Sequence, residues 1–450
     1  MQDTAKRCQD PNREKRARDL ILFLHILAYV LSISLFMAFH FFLPVGIAIL
    51  AANVLAAVIG SAQEGGRKAR AILEASALFL LTGLLTRRYS VKMLCALLVT
   101  AASLLNLLAD LFGSGADGQR RKPGRISLAF LVLSLCTALL LGYNAAYPDM
   151  LSLLTQGDDE EYPENVQETL EERDGMKIFR DVTYESAYAN NTYTVYALEE
   201  SQGVFFYIHG GGFVKGDKEA DFQNTYLFSM LEAGYSVVTV DYVLAPQNPF
   251  PQALYEVNDA LGDFIRHAGD YGLSAERIIV GGDSAGGMLS GLLAVLNTNP
   301  EYAAQLNTVP AVSGTGITLK GYISISGLVD VPCMGDTGVF TVDWMFDTWG
   351  RTAFQMADYA QSELGRTGSV LDNVTGDFPA AYISDGNFGT FDAQGKELVE
   401  KLEALGVPVE GNFPGWETAI LPHVWELNTA NDTAAQNFKK TVWFMDRFMR

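Results

Sequence analysis

The sequence predicts an α/β domain with a mostly parallel sheet covered by helices on both faces, preceded by an all-α transmembrane helical domain. Three observations predict it. Lys and Arg outnumber Asp and Glu by 16 to 8 in residues 1–147, whereas acids lead by 44 to 16 in the other 303 residues. Apolar runs of spanning length fill the first part. From about residue 180, short β-branched and aromatic runs alternate with helical patterns, as expected of a parallel sheet with crossover helices. The domains follow: 1–147 as a multi-span helical domain, 148–178 as an acidic linker or cap segment, and 179–450 as the α/β domain.

In the first domain, 20–39 and 43–60 are apolar runs of 20 and 18 residues, and 91–112 and 126–147 are two more of spanning length. The stretch 71–86 is shorter and contains Glu74. The runs repeat and are too long for a cleavable signal peptide. Six basic residues before the first run place the N-terminus in the cytoplasm. Five spans put 13 Lys and Arg inside, 3 outside, and the acidic domain outside; four spans put 12 inside, 4 outside, and the acidic domain in the cytoplasm. Hydrophobicity favours insertion of 71–86, hence five spans and an extracytoplasmic domain. Glu74 and Asp110 are the acids inside the runs, so anchoring is a simpler role than transport. The expected surroundings are therefore membrane lipids.

The acidic domain repels nucleic-acid phosphates, so no nucleic-acid partner is expected. Of Cys8, Cys95, Cys136 and Cys333, the last alone lies beyond residue 147, which excludes a disulfide within that part. No CxxC or Cys/His cluster offers a metal site. Residues 149–173 read as an acidic tether. "DVTYES" and "NTYTVYAL" read as an antiparallel pair at a sheet edge. "GVFFYIHGGGF", "YSVVTVDYVLAP", "RIIVGG", "GYISISGLVD", "AAYISDG" and "VPVEGNF" read as buried strands. Helices are expected over 220–233, 251–271, 284–296, 392–405 and 434–449.

The stretch "RIIVGGDSAGGMLSGLLAVL" puts Ser284 between a strand and a helix, within Gly282-Asp283-Ser284-Ala285-Gly286. G-x-S-x-G in that setting is a nucleophile turn. The glycines relieve crowding around a serine held in a sharp bend, and Ala285 N–H opens the helix, where it can meet an anion. "HGGGF" ends another predicted strand, so Gly210, Gly211 and Gly212 offer backbone N–H groups for an oxyanion. A serine also needs a base. His25 and His40 lie on the membrane side, where interface histidines are readily tolerated. His209 belongs to the glycine loop and His267 to a helix surface. That leaves His423, in "AILPHVWEL" between the last strand and the last helix.

With "HGGGFVKGD", "VDYVLAPQNPFPQAL", "RIIVGGDSAGG" and "LPHVW" in order, residues 180–450 resemble the hormone-sensitive-lipase-like (family IV) α/β-hydrolase esterases. The resemblance implies the α/β-hydrolase fold, an ester substrate, no cofactor and an acyl-enzyme mechanism. It implies oxyanion donors at Gly211, Gly212 and Ala285. Two family residues, an Arg and a Glu, are replaced by Val243 and Gln247, and Gly389 stands where the family carries its acid. The candidate acids are Asp385 at a strand end, favoured for its rigidity, then Asp392, which otherwise caps a helix, and Asp330. The expected activity is hydrolysis of short-acyl or acetyl esters by Ser284, His423 and Asp385, with a small-molecule, lipid or glycan ester as substrate. A pseudo-hydrolase binding module and an acyltransferase are the alternatives.

Overall fold

The computed structural model describes residues 168–449 apart from 174, 189, 190 and 220. The chain divides into two units, Met1–Met150 and Leu151–Arg450, and the described residues lie in the second. The expected membrane runs, His25 and His40 fall outside them. Among the described residues no helix is long and apolar enough to cross a membrane.

Nine strands form one sheet in the order β1-β2-β3-β5-β4-β6-β7-β8-β9. β1 (Thr169–Arg173) pairs antiparallel with β2 (Met176–Thr183), β2 with β3 (Thr192–Leu198), and β3 with β5. β4 (Val204–Ile208), β5 (Ser236–Val240), β6 (Ile278–Asp283), β7 (Gly321–Ile325), β8 (Ala381–Ser384) and β9 (Val409–Asn412) are parallel. The sheet thus begins at Thr169, inside the segment expected to be a linker over 148–178 and a tether over 149–173. "TLEER" gives no strand signal because every residue of β1 is exposed, so it lacks the alternation by which a half-buried strand is recognised.

The central strands bury both faces, which is why they read as continuous apolar runs. In β4, Val204, Phe206 and Ile208 point into one core and Phe205 and Tyr207 into the other. α1 (Asp221–Glu232) and α9 (Asp432–Phe448) cover one face through Tyr226, Leu227, Met230, Phe444 and Met445. α2 (Gln252–His267), α3 (Ser284–Thr298) and α8 (Asp392–Ala404) cover the other, through Leu254, Val257, Leu289, Leu292 and Leu398. α4 (Pro300–Gln305) follows α3 directly. Between β7 and β8 the chain makes a long excursion through α5 (Phe340–Phe354), α6 (Glu363–Thr367) and α7 (Val370–Asn373). α5 adds Phe346, Trp349 and Phe354 to the core that holds Val204, Phe206 and Ile208.

Parallel strands leave a crevice beyond their carboxyl ends, and that is where such folds hold their chemistry. The glycine loop after β4, Ser284 after β6, Ser326 after β7, Asp385 after β8 and the His423 loop after β9 all lie at this edge.

Candidate active site

Ser284 is the first residue of α3 and has φ 51°. An L-residue in this left-handed region is strained. Its neighbours show how the bend is built. A Cβ at Gly282 would lie 2.3 Å from the carbonyl oxygen of Ile208, and one at Gly286 would lie 2.0 Å from the same atom. The turn is therefore wedged against the end of β4, and glycine is required on both sides of the serine.

Ser284 Oγ lies 2.8 Å from His423 Nε2. The other ring nitrogen, Nδ1, lies 3.1 Å from Thr390 Oγ1. Thr390 Oγ1 in turn donates to Asp385 Oδ1, which also accepts the Gly386 N–H at 2.7 Å. The sequence suggests Asp385 as the direct partner of His423; in the structure a threonine hydroxyl stands between them. Phe346 and Phe391 set their rings edge-on to His423, with centroids 5.2 and 5.1 Å away. Desolvation in this surrounding pushes the imidazole pKa down to about 3.

The remaining candidate acids do not reach the site. Asp392 pairs with Lys396 at 2.6 Å on a partly exposed helix turn. It is the first residue of α8, and the N-cap position expected for it belongs to Phe391. Asp330 Oδ1 accepts from Ser369 Oγ at 3.1 Å. A second buried acid, unsuspected from the sequence, stands behind Asp385. Glu426 accepts from Ser326 Oγ at 2.8 Å and from Ser384 Oγ at 3.0 Å. Burial raises the pKa of both carboxyls, and their mutual repulsion raises Glu426 further; the pair titrates at about 7 and about 8.

The glycine loop has two functions. Gly210 does not serve as an oxyanion donor: its N–H goes to Asp283 Oδ1 at 2.8 Å, and a Cβ at this position would meet the Asp283 carboxylate at 2.3 Å. Tyr207 donates to the same oxygen at 2.6 Å. Asp283 thereby ties the nucleophile turn to the loop that faces it. Gly211 and Gly212 have φ 118° and 65°, which glycine alone adopts without penalty. Together with Ala285 they are the remaining donor candidates. His209 braces the loop, with Nδ1 2.7 Å from Gly210 O and its ring stacked on Tyr242 at 4.3 Å. Over the loop lies Trp349, whose ring a Cβ at Gly212 would meet at 2.4 Å. His267 lies away from this edge and pairs with Asp270 at 2.9 Å. Val243, standing in for the family's arginine, gives its N–H to buried Glu256.

Residues 205–415 match a family model described as alpha/beta hydrolase fold. An acetyl esterase of Salmonella paratyphi A is 35% identical over 244 residues, which cover 53% of this chain and 71% of that protein. The chain belongs to the α/β-hydrolase family. An esterase of Gibberella moniliformis is 27% identical over 210 residues, 45% of this chain and 62% of the fungal protein, so the match spans under two thirds of that relative. Esterase B of Lactobacillus rhamnosis has the same fold, with a TM-score of 0.52 and 18% identity over 72% of this chain and 95% of its own. The chain is a carboxylic ester hydrolase.

The sequence does not point to Thr390, Glu426, Trp349 or Phe346. Each leaves a trace in it. Thr390 directly follows Gly389, where the family carries its acid, and Glu426 lies three residues beyond His423. Phe346, Trp349 and Ala353 repeat at helical spacing, a signal that could reveal α5.

Proposed function

We propose that this chain is a membrane-anchored serine esterase that removes short acyl groups, acetyl above all, from an alcohol. The 2.8 Å approach of Ser284 Oγ to His423 Nε2 carries the reading. Ser284 Oγ attacks the ester carbonyl carbon and passes its proton to His423. The carbonyl oxygen takes up negative charge, met by the N–H groups of Gly211, Gly212 and Ala285. One such donor lowers the barrier by about 2.7–4 kcal/mol in serine hydrolases. The bond from carbonyl carbon to alcohol oxygen then breaks, and His423 returns the proton to the leaving alkoxide. Water repeats the cycle on the acyl-serine, releasing the acid. Asp385 supplies the buried negative charge that stabilises the imidazolium.

The acetyl preference draws on the acetyl esterases among the relatives and on Trp349 crowding Gly212. Ser284→Ala is expected to abolish both hydrolysis of p-nitrophenyl acetate and labelling by a fluorophosphonate. Retained turnover would overturn the assignment, and hydrolysis without labelling would point to another nucleophile. The membrane reading draws on the apolar runs before residue 147 and on the basic N-terminal segment. Trypsin added to intact cells is expected to release a fragment near residues 150–450; protection of that part would place it in the cytoplasm.

A further inference from the structure

We infer that Thr390 is a positioning residue: its hydroxyl links His423 to the buried carboxylate of Asp385 and fixes the tautomer that lets His423 act as a base. The inference deepens the esterase reading and rests on it. A hydroxyl has one proton to give. That of Thr390 goes to Asp385 Oδ1, an oxygen already accepting the Gly386 N–H at 2.7 Å. These two donors fix Oδ1 as an acceptor. The polarity of the chain is thereby set from the carboxylate outward. Thr390 Oγ1, having donated, must accept from its other neighbour, which is His423 Nδ1 at 3.1 Å. The imidazole proton is then held on Nδ1, and Nε2 presents its lone pair to Ser284 Oγ 2.8 Å away.

When Ser284 gives up its proton, both ring nitrogens of His423 carry hydrogen and the ring is positive. Thr390 and Asp385 stay as they were, with no bond broken in the relay. The carboxylate stabilises the cation across one intervening oxygen in a setting closed to water: Thr390 is 4% exposed and Asp385 1%. Such burial strengthens electrostatic interactions compared with bulk water. The local backbone explains the arrangement. Gly389 has φ 60°, and a Cβ there would lie 3.1 Å from Val342 Cγ2. A carboxylate side chain at 389 would be strained and crowded, so the charge comes from the strand end below and is handed up by the next residue. Threonine suits the task because its β-branch restricts rotation about χ1.

The test is a double-mutant cycle read by kcat and KM on p-nitrophenyl acetate, with Ser284→Ala alongside. Thr390→Val keeps the shape and removes the hydroxyl. It is expected to lower kcat about 100-fold or more, by analogy with loss of an acid partner, and to leave KM within about threefold. Thr390→Ser should restore kcat to within about tenfold of the wild type. Asp385→Asn should fall as Thr390→Val does, and the double variant should be no worse than the poorer single one, because both remove the same link. The relay is overturned if Thr390→Val stays within about threefold of wild type, or if the two losses multiply. If the valine variant does not fold, Thr390→Ala is read by the same limits. An inactive Ser284→Ala with a fully active Thr390→Val would sink the relay alone; an active Ser284→Ala would sink the esterase mechanism and the relay with it.

Discussion

His423 is the side chain whose chemistry depends most on its neighbours. Two phenylalanine rings and its burial hold it neutral, with its pKa pushed down to about 3, so its own protonation does not limit activity near neutral pH. The acid side does. Asp385 and Glu426 are both raised, first by burial, and Asp392 adds further repulsion on Asp385. The active form needs Asp385 ionised, and the proton leaves only as pH rises. The expected result is that kcat/KM climbs with pH through about 7. Replacing Glu426 by Gln removes one of two repelling carboxyls, which lets Asp385 ionise more easily. A pH-rate profile of Glu426→Gln should therefore show the limb displaced to lower pH; a limb unmoved would mean that the two carboxyls do not share their titration. At this scale Ser284 and His423 are legible in the sequence, one from a five-residue pattern in its strand-turn-helix setting and the other by elimination among five histidines. Thr390 is not, because a threonine acquires this role only through a fold that brings residues 385, 390 and 423 together.

The elements that build the site differ in how openly they are written. β4, β6 and β7 are uniformly buried, so their apolar runs leave little ambiguity. Helices α1, α2, α3, α8 and α9 match the expected ranges to within about two residues at most ends, since their repeats and flanking turns are clear. The excursion between β7 and β8 is much less legible. Its longest piece, α5, mixes Phe346 and Trp349 with Asp343, Asp347 and Arg351, and buried charge obscures the apolar stripe. Arg351 is 1% exposed, and its two terminal nitrogens donate to Asp347 and Thr348. α5 nonetheless roofs the site through Trp349 against Gly212. Trp349→Leu is expected to open room for longer acyl chains, because each added methylene accommodated in an apolar pocket is worth about 1–3 kcal/mol in specificity. The ratio of kcat/KM for p-nitrophenyl hexanoate over acetate should rise at least about tenfold. An unchanged ratio would show that the acyl chain runs elsewhere.

Across the whole chain, charge alone separates two parts: 16 basic residues against 8 acidic ones precede residue 148, and 44 acids against 16 bases follow it. The strand-helix alternation of the second part translates directly into a sheet covered on both faces. The linker boundary does not, because β1 is made of residues exposed at the rim. That strand has a bearing on how copies of the protein behave when crowded. An open sheet offers unpaired backbone groups at its two outer strands, and these invite pairing with another molecule. Here one margin carries Glu171, Glu172 and Arg173. At the other, Glu410 is engaged with Arg447 at 3.3 Å. Charged side chains thus stand at both margins, and sealing them between two sheets would strip them of water, so molecules concentrated side by side are discouraged from zipping their sheets into one another.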